Sequence, residues 1–286
     1  MNLISAAALH RQINAPQTVV IDCRFNLIRE GAGHAAYIAG HIPGAVYADL
    51  DADLASPVSP DGAGGRHPLP DPQACGELLR TWGVNDDSLV VVYDAAGGMV
   101  AARLWWLLRW LGHEQVALLD GGLPAWTSIG GGLSIELPEP ARGNFSPRPG
   151  AMPIVDAEQV AKGLADGSIV LLDARDPQRF AGLTEPLDKL AGHVPGAINT
   201  PLTDNLTTDK CFRPIGDLQA YYGPAIQDRL GNRQAEKVVC MCGSGVTACH
   251  TLLALETAGL KGAALYVGSW SDWISSGQRP VAVDQD

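Results

Sequence analysis

The chain has 286 residues, enough for two domains of ordinary size. Its 31 acidic and 20 basic residues give a formal net charge of −11, which disfavours nucleic acid and anionic membranes as partners. No apolar run approaches the length of a membrane span. The six cysteines show no paired framework for a chain of this size, so the composition predicts a reducing compartment, the cytoplasm.

The first predicted element is a helix close to the N-terminus. Residues 4–9 are apolar except for Ser5, but this run is too short for a secretory signal, lacks a basic start and is followed by two polar residues. Ser5 stands where a helix N-cap is expected, and Asp156 stands at the equivalent place before a predicted helix through Val160.

The chain repeats itself at the spacing of a domain. The clearest match places Asp22 against Asp173, 151 residues later, each at the end of an apolar run. Three pairs of segments match: 19–24 with 169–175, 39–45 with 191–197, and 119–126 with 266–273. This period is far too long for a solenoid and predicts two copies of one fold. We therefore predict a first domain over 1–136, a stiff proline-rich linker over 137–153 and a second domain over 154–286.

Each half alternates short runs of Val, Ile and Leu with helical patterns. This alternation predicts an α/β fold in which a mostly parallel sheet is flanked by helices. In the second half, strands are predicted at 169–172 and 238–241, and a helix is predicted from 245 to about 258.

Cys242 lies between the second of these strands and that helix. With small residues at 243, 244 and 245, backbone N–H groups can turn toward the sulfur and stabilise a thiolate, which predicts a nucleophilic cysteine. The local sequence alone leaves a buried structural cysteine as an equal alternative. In the first half Asp94 takes the place of Cys242, so the first domain is predicted to be catalytically silent.

Two other site chemistries are disfavoured by spacing. The set Cys240, Cys242, Cys249 and His250 matches no structural zinc pattern, and a helix would point its last two members in different directions. A cysteine phosphatase would need an arginine at position 248 to cradle phosphate, and Ala248 stands there.

These motifs closely resemble the rhodanese superfamily, specifically its two-domain sulfurtransferases that act on thiosulfate or 3-mercaptopyruvate. The resemblance covers nearly all of the chain. In each half, the resemblance rests on a two-part first signature and a terminal signature. In the first half these are 22–24 with 40–45, and 119–126. In the second half they are 173–175 with 192–197, and 266–273. Residues 242–248 are similar to the loop typical of the 3-mercaptopyruvate enzymes, whereas thiosulfate enzymes more often carry basic residues just after the cysteine.

The resemblance implies a double displacement. The Cys242 thiolate attacks the sulfane sulfur of a small anionic donor, and the resulting persulfide passes its sulfur to a thiol, a thioredoxin-like protein or cyanide. Neither a metal nor an organic cofactor is required. The preferred donor is expected to be 3-mercaptopyruvate. The alternatives are a thiosulfate:cyanide sulfurtransferase and a persulfide carrier that does not turn over.

An anionic donor needs cations, and Arg175 and Arg179 follow a strand whose end is expected to face the same rim as the cysteine loop. By resemblance, Arg179 is the substrate-binding arginine, and a planar guanidinium suits a carboxylate or thiosulfonate. Arg175 has an equal alternative, a structural ion pair with Asp173. The loop residues expected to surround the donor are Gly243, Gly245, Val246 and Thr247.

The second substrate arginine usual in the 3-mercaptopyruvate enzymes is missing. Residues 184–190, where it is expected, offer only Lys189, and the cysteine loop itself supplies no cation beside the sulfur. The missing arginine argues against 3-mercaptopyruvate as the donor, whereas the lack of a cation in the loop argues against thiosulfate.

A proton relay is also implied by the resemblance, which maps an aspartate, a histidine and a serine to Asp51, His67 and Ser244. The alternative is that His67 and the neighbouring Arg66 are simply polar residues lining the site. His41 and His193 precede matching Pro-Gly pairs, and both are expected to make structural hydrogen bonds in turns.

Overall fold

The computed structural model describes residues 1–230 and 235–284. The chain divides into two compact units. The first comprises Met1–Ser56, Pro70–Met152 and Thr207–Phe212, and the second comprises Pro57–Leu69, Pro153–Leu206 and Arg213–Asp286.

The first unit contains a five-stranded parallel sheet in the order β1-β5-β4-β2-β3. Its strands are β1 (Leu3–Ile4), β2 (Thr18–Asp22), β3 (Val46–Tyr47), β4 (Leu89–Tyr93) and β5 (Val116–Leu119). Its helices are α1 (Ala6–Gln12), α2 (Ala32–Ala39), α3 (Pro72–Thr81), α4 (Ala101–Trp110) and α5 (Gly122–Ser128).

The second unit repeats this arrangement, with a parallel sheet in the order β6-β10-β9-β7-β8. Its strands are β6 (Ile154–Val155), β7 (Val170–Asp173), β8 (Ile198–Asn199), β9 (Val238–Met241) and β10 (Ala264–Tyr266). Its α-helices are α6 (Ala157–Ala165), α7 (Pro177–Ala181), α8 (Ile215–Leu230), α9 (Ala248–Thr257) and α10 (Ser269–Trp273). Short 3-10 helices occupy Leu202–Asn205 and Ala235–Lys237. The predicted α/β fold with a parallel sheet in each half is confirmed.

The central strands have apolar side chains on both faces because helices cover both faces of a parallel sheet. All residues of β7 and β9 are buried. Burial of each such valine or leucine side chain contributes roughly 1.5–3 kcal/mol to the stability of the fold. These two strands therefore form a rigid base for the loops that follow them.

Both predicted helix caps are present. Ser5 Oγ accepts the backbone N–H of Ala8 at 3.2 Å, and Asp156 Oδ1 accepts the backbone N–H of Gln159 at 2.8 Å. In the second case Gln159 Oε1 also accepts the N–H of Asp156, which completes a capping box.

The proline-rich stretch 137–152 belongs to the first compact unit, and the chain enters the second unit at Pro153. Phe145 anchors the stretch: its side chain is buried and its N–H donates to the carbonyl of Val84 at 3.1 Å. The N–H of Gly143 likewise donates to Arg80 O at 2.8 Å. These bonds account for the association of the stretch with the first unit although it forms no helix.

The segment Pro57–Leu69 lies in the first half of the sequence but groups with the second unit. It is therefore part of the structure that surrounds Cys242. No helix among the described residues is long and apolar enough to span a membrane.

Candidate active site

The candidate site lies at the carboxyl ends of the neighbouring strands β7 and β9. Asp173, the last residue of β7, pairs in register with Met241, the last residue of β9. Cys242 follows Met241 directly, and Arg175 and Arg179 come shortly after Asp173. The expectation that the arginines and the cysteine loop leave the sheet at the same rim is confirmed.

Hydrogen bonds on both sides fix the loop that starts at Cys242. The backbone N–H of Gly245 donates to Sγ of Cys242 at 3.1 Å. The N–H of Cys242 donates to Ser269 Oγ at 3.1 Å, and its carbonyl accepts the N–H of Trp270 at 3.0 Å. The sulfur is thus held against a loop amide, which stabilises a thiolate.

Gly245 is the residue that allows this loop shape. Its φ is +77°, and a Cβ there would collide with the carbonyl oxygen of Val267, so only glycine fits. The helix after the loop, α9, begins at Ala248 rather than at 245 because this left-handed residue interrupts the helical conformation. The carbonyls of Val246 and Thr247 accept the first N–H groups of that helix, from Cys249 and His250 at 3.1 Å each.

Neither neighbouring cysteine has the surroundings of Cys242. Cys240 is wholly buried within β9, and burial raises the pKa of its thiol well above the ordinary value. The thiol of Cys249 donates to the carbonyl of Gly245 at 3.3 Å. Within the described ranges, no group of three or more His, Cys, Asp or Glu residues is arranged to hold a metal ion.

Ser244 and His67 meet beside the cysteine loop. Ser244 Oγ lies 2.7 Å from His67 Nδ1, and both residues are 5% exposed. Which of the two donates depends on the tautomer of the imidazole. Asp51 lies in the first unit, where its N–H donates to Asp49 Oδ1 at 2.9 Å, and its part in the relay stays a prediction.

The segment Pro57–Leu69 is fastened to the second unit by backbone hydrogen bonds. The N–H of Gly64 donates to Asp272 Oδ1 at 3.0 Å, and the N–H of Arg66 donates to Ser271 Oγ at 3.1 Å. Gly65 between them has a φ of +75° and approaches the carbonyl of residue 268 so closely that a Cβ would collide with it. The segment is thereby placed so that its side chains meet the cysteine loop.

Two arginines lie beside this loop. A Cβ on Gly243 would lie 3.0 Å from Nη2 of Arg66 and 3.5 Å from Nη2 of Arg179. The cysteine loop itself supplies no cation, but two cations reach it from outside the loop. Arg66 comes from a segment distant in sequence, and Arg179, the expected substrate-binding arginine, comes from α7.

Both of these guanidinium groups are paired with carboxylates. Glu185 accepts Nε and Nη2 of Arg179 at 2.8–3.1 Å, and Asp188 Oδ2 accepts Nη2 of Arg179 at 3.2 Å. The other oxygen of Asp188 pairs with Nη1 of Arg66. Asp188 thus bridges the two arginines.

Arg175 is enclosed in the protein. Its guanidinium is bound by Asp173 at 2.7–3.1 Å, donates to the carbonyl of Gly192 at 2.8 Å and lies 4.5 Å from the ring centre of Trp270. The remaining nitrogen, Nη1, has no hydrogen-bond partner and lies 3.7 Å from Glu185. With 2% exposure, this geometry favours the structural alternative over a substrate contact.

The two repeated histidines make equivalent contacts. His41 Nδ1 lies 2.9 Å from the carbonyl of Tyr37, and His193 Nδ1 lies 2.8 Å from the carbonyl of Phe180. Each imidazole also stacks on that aromatic ring, at centroid distances of 4.0 and 3.9 Å. Structural hydrogen bonds were expected at both histidines, and the partner is in each case the preceding helix.

The equivalent loop of the first unit is filled by a carboxylate. Asp94 Oδ1 accepts the N–H groups of Ala96 and Gly98 at 2.8 and 2.9 Å, and Oδ2 accepts those of Val100 and Ala101 at 2.9 and 3.1 Å. The side chain is buried. In the second unit the Cys242 sulfur accepts the N–H of Gly245, whereas here a carboxylate accepts four loop N–H groups.

Comparison with known protein families identifies the family to which this fold and site belong. The profile of the rhodanese-like domain matches residues 5–129 and 156–276, one match for each unit. The chain belongs to the rhodanese-like family. Both matches together cover most of the sequence, as the internal repeat predicted.

Curated rhodanese-like relatives are similar over nearly their full length. A probable 3-mercaptopyruvate sulfurtransferase of Pseudomonas aeruginosa is 44% identical, over 98% of this chain and 97% of the relative. A putative thiosulfate sulfurtransferase, SseB, of Mycobacterium tuberculosis is 40% identical, over 98% and 96%. The 3-mercaptopyruvate sulfurtransferase of Escherichia coli is 34% identical, over 97% and 96%.

Solved structures give the same family. The crystal structure of SseA from Escherichia coli, a 3-mercaptopyruvate enzyme, superposes with a TM-score of 0.80 at 33% identity, covering 94% of this chain and 98% of that one. The 3-mercaptopyruvate sulfurtransferase from Leishmania major superposes with a TM-score of 0.84 at 27% identity, covering 98% and 76%.

Sequence reasoning missed Glu185 and Asp188, and it named Arg66 only as a polar residue lining the site. Arg66 carries a weak signal, since it stands beside the candidate histidine in an otherwise acidic chain. The two carboxylates carry none, because an acidic residue in a loop is usually solvated.

Proposed function

We propose that this rhodanese-like sulfurtransferase takes sulfur from 3-mercaptopyruvate at Cys242 and delivers it to a thiol, a thioredoxin-like protein or cyanide. The observation that carries the choice of donor is the 2.7 Å contact between Ser244 and His67, two residues beyond the nucleophile. A hydroxyl polarised by an imidazole can deliver a proton, and this donor requires one.

The first step breaks the carbon–sulfur bond of the donor. The Cys242 thiolate attacks the sulfur of the donor thiol, a sulfur–sulfur bond forms, and the electron pair of the carbon–sulfur bond passes to the donor carbon. The leaving group is the enolate of pyruvate, which takes up one proton to become pyruvate. Ser244 supplies that proton through its hydroxyl and His67 restores it, while Cys242 is left as a persulfide.

The second step returns the enzyme to its starting state. An acceptor thiolate or cyanide attacks the outer sulfur of the persulfide, the sulfur–sulfur bond breaks, and its electron pair returns to Cys242 as a thiolate. Arg179, with the loop residues 243 and 245–247, holds the donor during the first step. We place this chemistry in the second unit only, because the equivalent loop of the first unit is occupied by the carboxylate of Asp94.

A second donor is favoured by a specific observation. Arg66 and Arg179 place two guanidinium groups beside Gly243, each also paired with a carboxylate, and thiosulfate carries two negative charges. Its leaving group, sulfite, needs no proton, so a thiosulfate enzyme would not require the contact between Ser244 and His67. For either donor, a location in the cytoplasm and catalysis without a cofactor stay predictions.

The deciding experiment compares kcat/KM for 3-mercaptopyruvate and thiosulfate with the same thiol acceptor. We expect 3-mercaptopyruvate to be preferred, and Cys242→Ser to abolish transfer of sulfur from both donors in a folded protein because a serine hydroxyl is not ionised at neutral pH. A preference for thiosulfate would overturn the proposed donor.

Treatment with donor alone locates the nucleophile. We expect one added sulfur atom at Cys242, removable by cyanide and detected by mass spectrometry of peptides. Sulfur on Cys240 or Cys249, or turnover by Cys242→Ser, would contradict the assignment. A persulfide that forms on Cys242 but is never passed to small acceptors would instead indicate a carrier module.

A further inference from the structure

We infer that Asp188 is an internal competitor of the donor: in the free enzyme its carboxylate occupies the guanidinium of Arg179, and the anionic group of the donor displaces it on binding. The inference deepens the proposed function and rests on it, since it concerns the anionic end of the same donor. Asp188 then sets the affinity for the donor by opposing its binding.

The ion pairs around Arg179 are electrically balanced before a donor arrives. Within the described part of the chain they form one continuous series of three arginines and three carboxylates: Arg66, Asp188, Arg179, Glu185, Arg175 and Asp173. The three carboxylates are at most 5% exposed. An anion that joined this balanced series would add an unpaired negative charge in a poorly solvated place, which is unfavourable. A donor therefore binds well only if one carboxylate gives way.

Two of the three carboxylates are firmly held. Asp173 accepts the guanidinium and the backbone N–H of Arg175 at 2.7–3.1 Å. Glu185 accepts Nε and Nη2 of Arg179 through four contacts of 2.8–3.1 Å, and its Oε1 also accepts the N–H groups of Leu187 and Asp188. Release of either carboxylate would break backbone hydrogen bonds as well as ion pairs.

Asp188 is the carboxylate that can leave. Among the hydrogen bonds of the described residues, its side chain accepts from two arginines only: Nη2 of Arg179 at 3.2 Å and Nη1 of Arg66. The side chain of Arg66 is 29% exposed, so water can replace the contact that it loses. Release of Asp188 therefore breaks two side-chain contacts and no backbone bond.

The turn around Asp188 does not depend on that carboxylate. Glu185 holds the backbone of the turn at its start, and the carbonyl of Leu190 accepts Nε1 of Trp270 at 2.9 Å at its end. Lys189, the one cation of residues 184–190, is exposed. A rotation of the Asp188 side chain is thus enough to uncover Arg179, without unfolding of the turn.

The nitrogen that Asp188 occupies is the one that a donor needs. A guanidinium offers its edges to carboxylates, and Glu185 takes the edge formed by Nε and Nη2 of Arg179. The edge formed by Nη1 and Nη2 faces the cysteine loop, at 3.7 and 3.5 Å from the point that a Cβ of Gly243 would occupy. Asp188 binds Nη2, so it covers part of the edge nearest to Cys242.

This competition lowers the apparent affinity for the donor by a definite factor. If Asp188 occupies Arg179 about nine tenths of the time, the apparent dissociation constant is about ten times the intrinsic one. Removal of the Asp188 charge should therefore tighten binding. A carboxylate that served to orient Arg179 would have the opposite effect, because its removal would weaken binding.

The test measures KM for 3-mercaptopyruvate and thiosulfate in the wild type, Asp188→Asn and Glu185→Gln. Asp188→Asn keeps the size of the side chain without its charge and should lower KM for both donors at least threefold. Glu185→Gln loosens the guanidinium of Arg179 and should raise KM at least threefold. Arg179→Ala should lower kcat/KM at least tenfold.

Asp176→Asn is the matched control. It makes the same substitution at an exposed position before the helix that carries Arg179, where asparagine caps equally well. Its KM should stay within twofold of the wild-type value. KM of Asp188→Asn should also rise more steeply with chloride concentration than KM of the wild type, because chloride competes for the arginines that Asp188 no longer covers.

A KM of Asp188→Asn that falls less than threefold, or no further than that of Asp176→Asn, would overturn the inference. If Asp188→Asn does not fold, Asp188→Ser is measured by the same criteria. If neither variant folds, Asp188 is a structural residue and the inference is equally overturned.

Failure of the inference and failure of the proposed function give different results. If the wild type uses thiosulfate and not 3-mercaptopyruvate, the proposed donor is wrong, and the KM ratio of Asp188→Asn to wild type on thiosulfate still decides the role of Asp188. If neither donor is turned over, calorimetric binding of thiosulfate to Cys242→Ser, with and without Asp188→Asn, decides it. At least threefold tighter binding supports the inference, and a smaller gain or weaker binding overturns it.

Discussion

At the scale of single residues, the pair of Ser244 and His67 distinguishes the two donors chemically. Loss of sulfur from 3-mercaptopyruvate leaves a carbon that must be protonated, whereas loss of sulfur from thiosulfate leaves sulfite, a stable anion. A proton donor beside Cys242 is therefore useful for one reaction and unnecessary for the other. Since both residues are almost fully buried, their 2.7 Å contact is not exchanged for water.

Ser244→Ala should consequently impair one donor selectively. We expect kcat/KM for 3-mercaptopyruvate to fall about 100-fold, within the range of general acid catalysis, and that for thiosulfate to stay within about threefold. Steady-state kinetics with each donor checks this. His67→Gln should show the same selectivity, and the double variant should lose little more than either single variant because the two groups act together.

An equal loss on both donors would show that Ser244 only shapes the loop. Additive losses in the double variant would show that the serine and the histidine act separately. In either case Asp51, whose role rests on resemblance alone, would lose its reason for a part in the relay.

At the scale of elements, the first unit contains the same strand–loop–helix motif as the second, with a carboxylate in place of the cysteine sulfur. Between β4 and α4, one carboxylate accepts four backbone N–H groups. Hydrogen bonds to a charged acceptor are stronger than those between neutral groups, and here they also fix the start of a helix. Asp94 thus stabilises a loop whose counterpart in the second unit carries Cys242, the proposed nucleophile.

Asp94→Asn should destabilise the first unit by about 2 kcal/mol or more, because the amide nitrogen of asparagine would point at N–H groups that need an acceptor. We expect a thermal unfolding midpoint lower by several degrees and an unchanged kcat/KM. Asp71→Asn is the matched control: Asp71 caps α3 through two N–H groups at an exposed position, where asparagine caps equally well. Equal stability of both variants would mean that the Asp94 bonds contribute nothing.

The elements also show what the sequence predicts and what it does not. Local patterns predict strands β7 and β9, the caps at Ser5 and Asp156 and the position of Cys242. They do so because hydrophobic periodicity and turn residues act within a few positions of the chain. Pro57–Leu69 has neither a helical nor a strand pattern. Its place is decided by hydrogen bonds to residues more than 200 positions later, which no local pattern encodes.

At the scale of the whole molecule, the duplication supplies each unit with its own copy of one buried ion pair. Arg24 binds both oxygens of Asp22 at 2.6–3.0 Å and the carbonyl of Gly40 at 2.8 Å. Arg175 binds Asp173 and the carbonyl of Gly192 with matching distances. The first copy lies in the unit that has Asp94 in place of Cys242, which indicates that this pair serves folding, since it joins a strand end to the backbone after the next helix.

The duplication therefore provides its own control for the role of Arg175. Arg24→Lys and Arg175→Lys each keep the charge but lose the two-pronged contact with the carboxylate and a bond to a buried carbonyl, so each should lower the free energy of unfolding by roughly 1–3 kcal/mol. Thermal unfolding of the two variants should show losses of similar size. At a temperature well below the unfolding midpoints of both variants, KM for either donor should stay within threefold of the wild-type value. If Arg175→Lys raises KM tenfold while losing no more stability than Arg24→Lys, Arg175 touches the donor, and the second unit has adapted a structural pair of the repeat to catalysis.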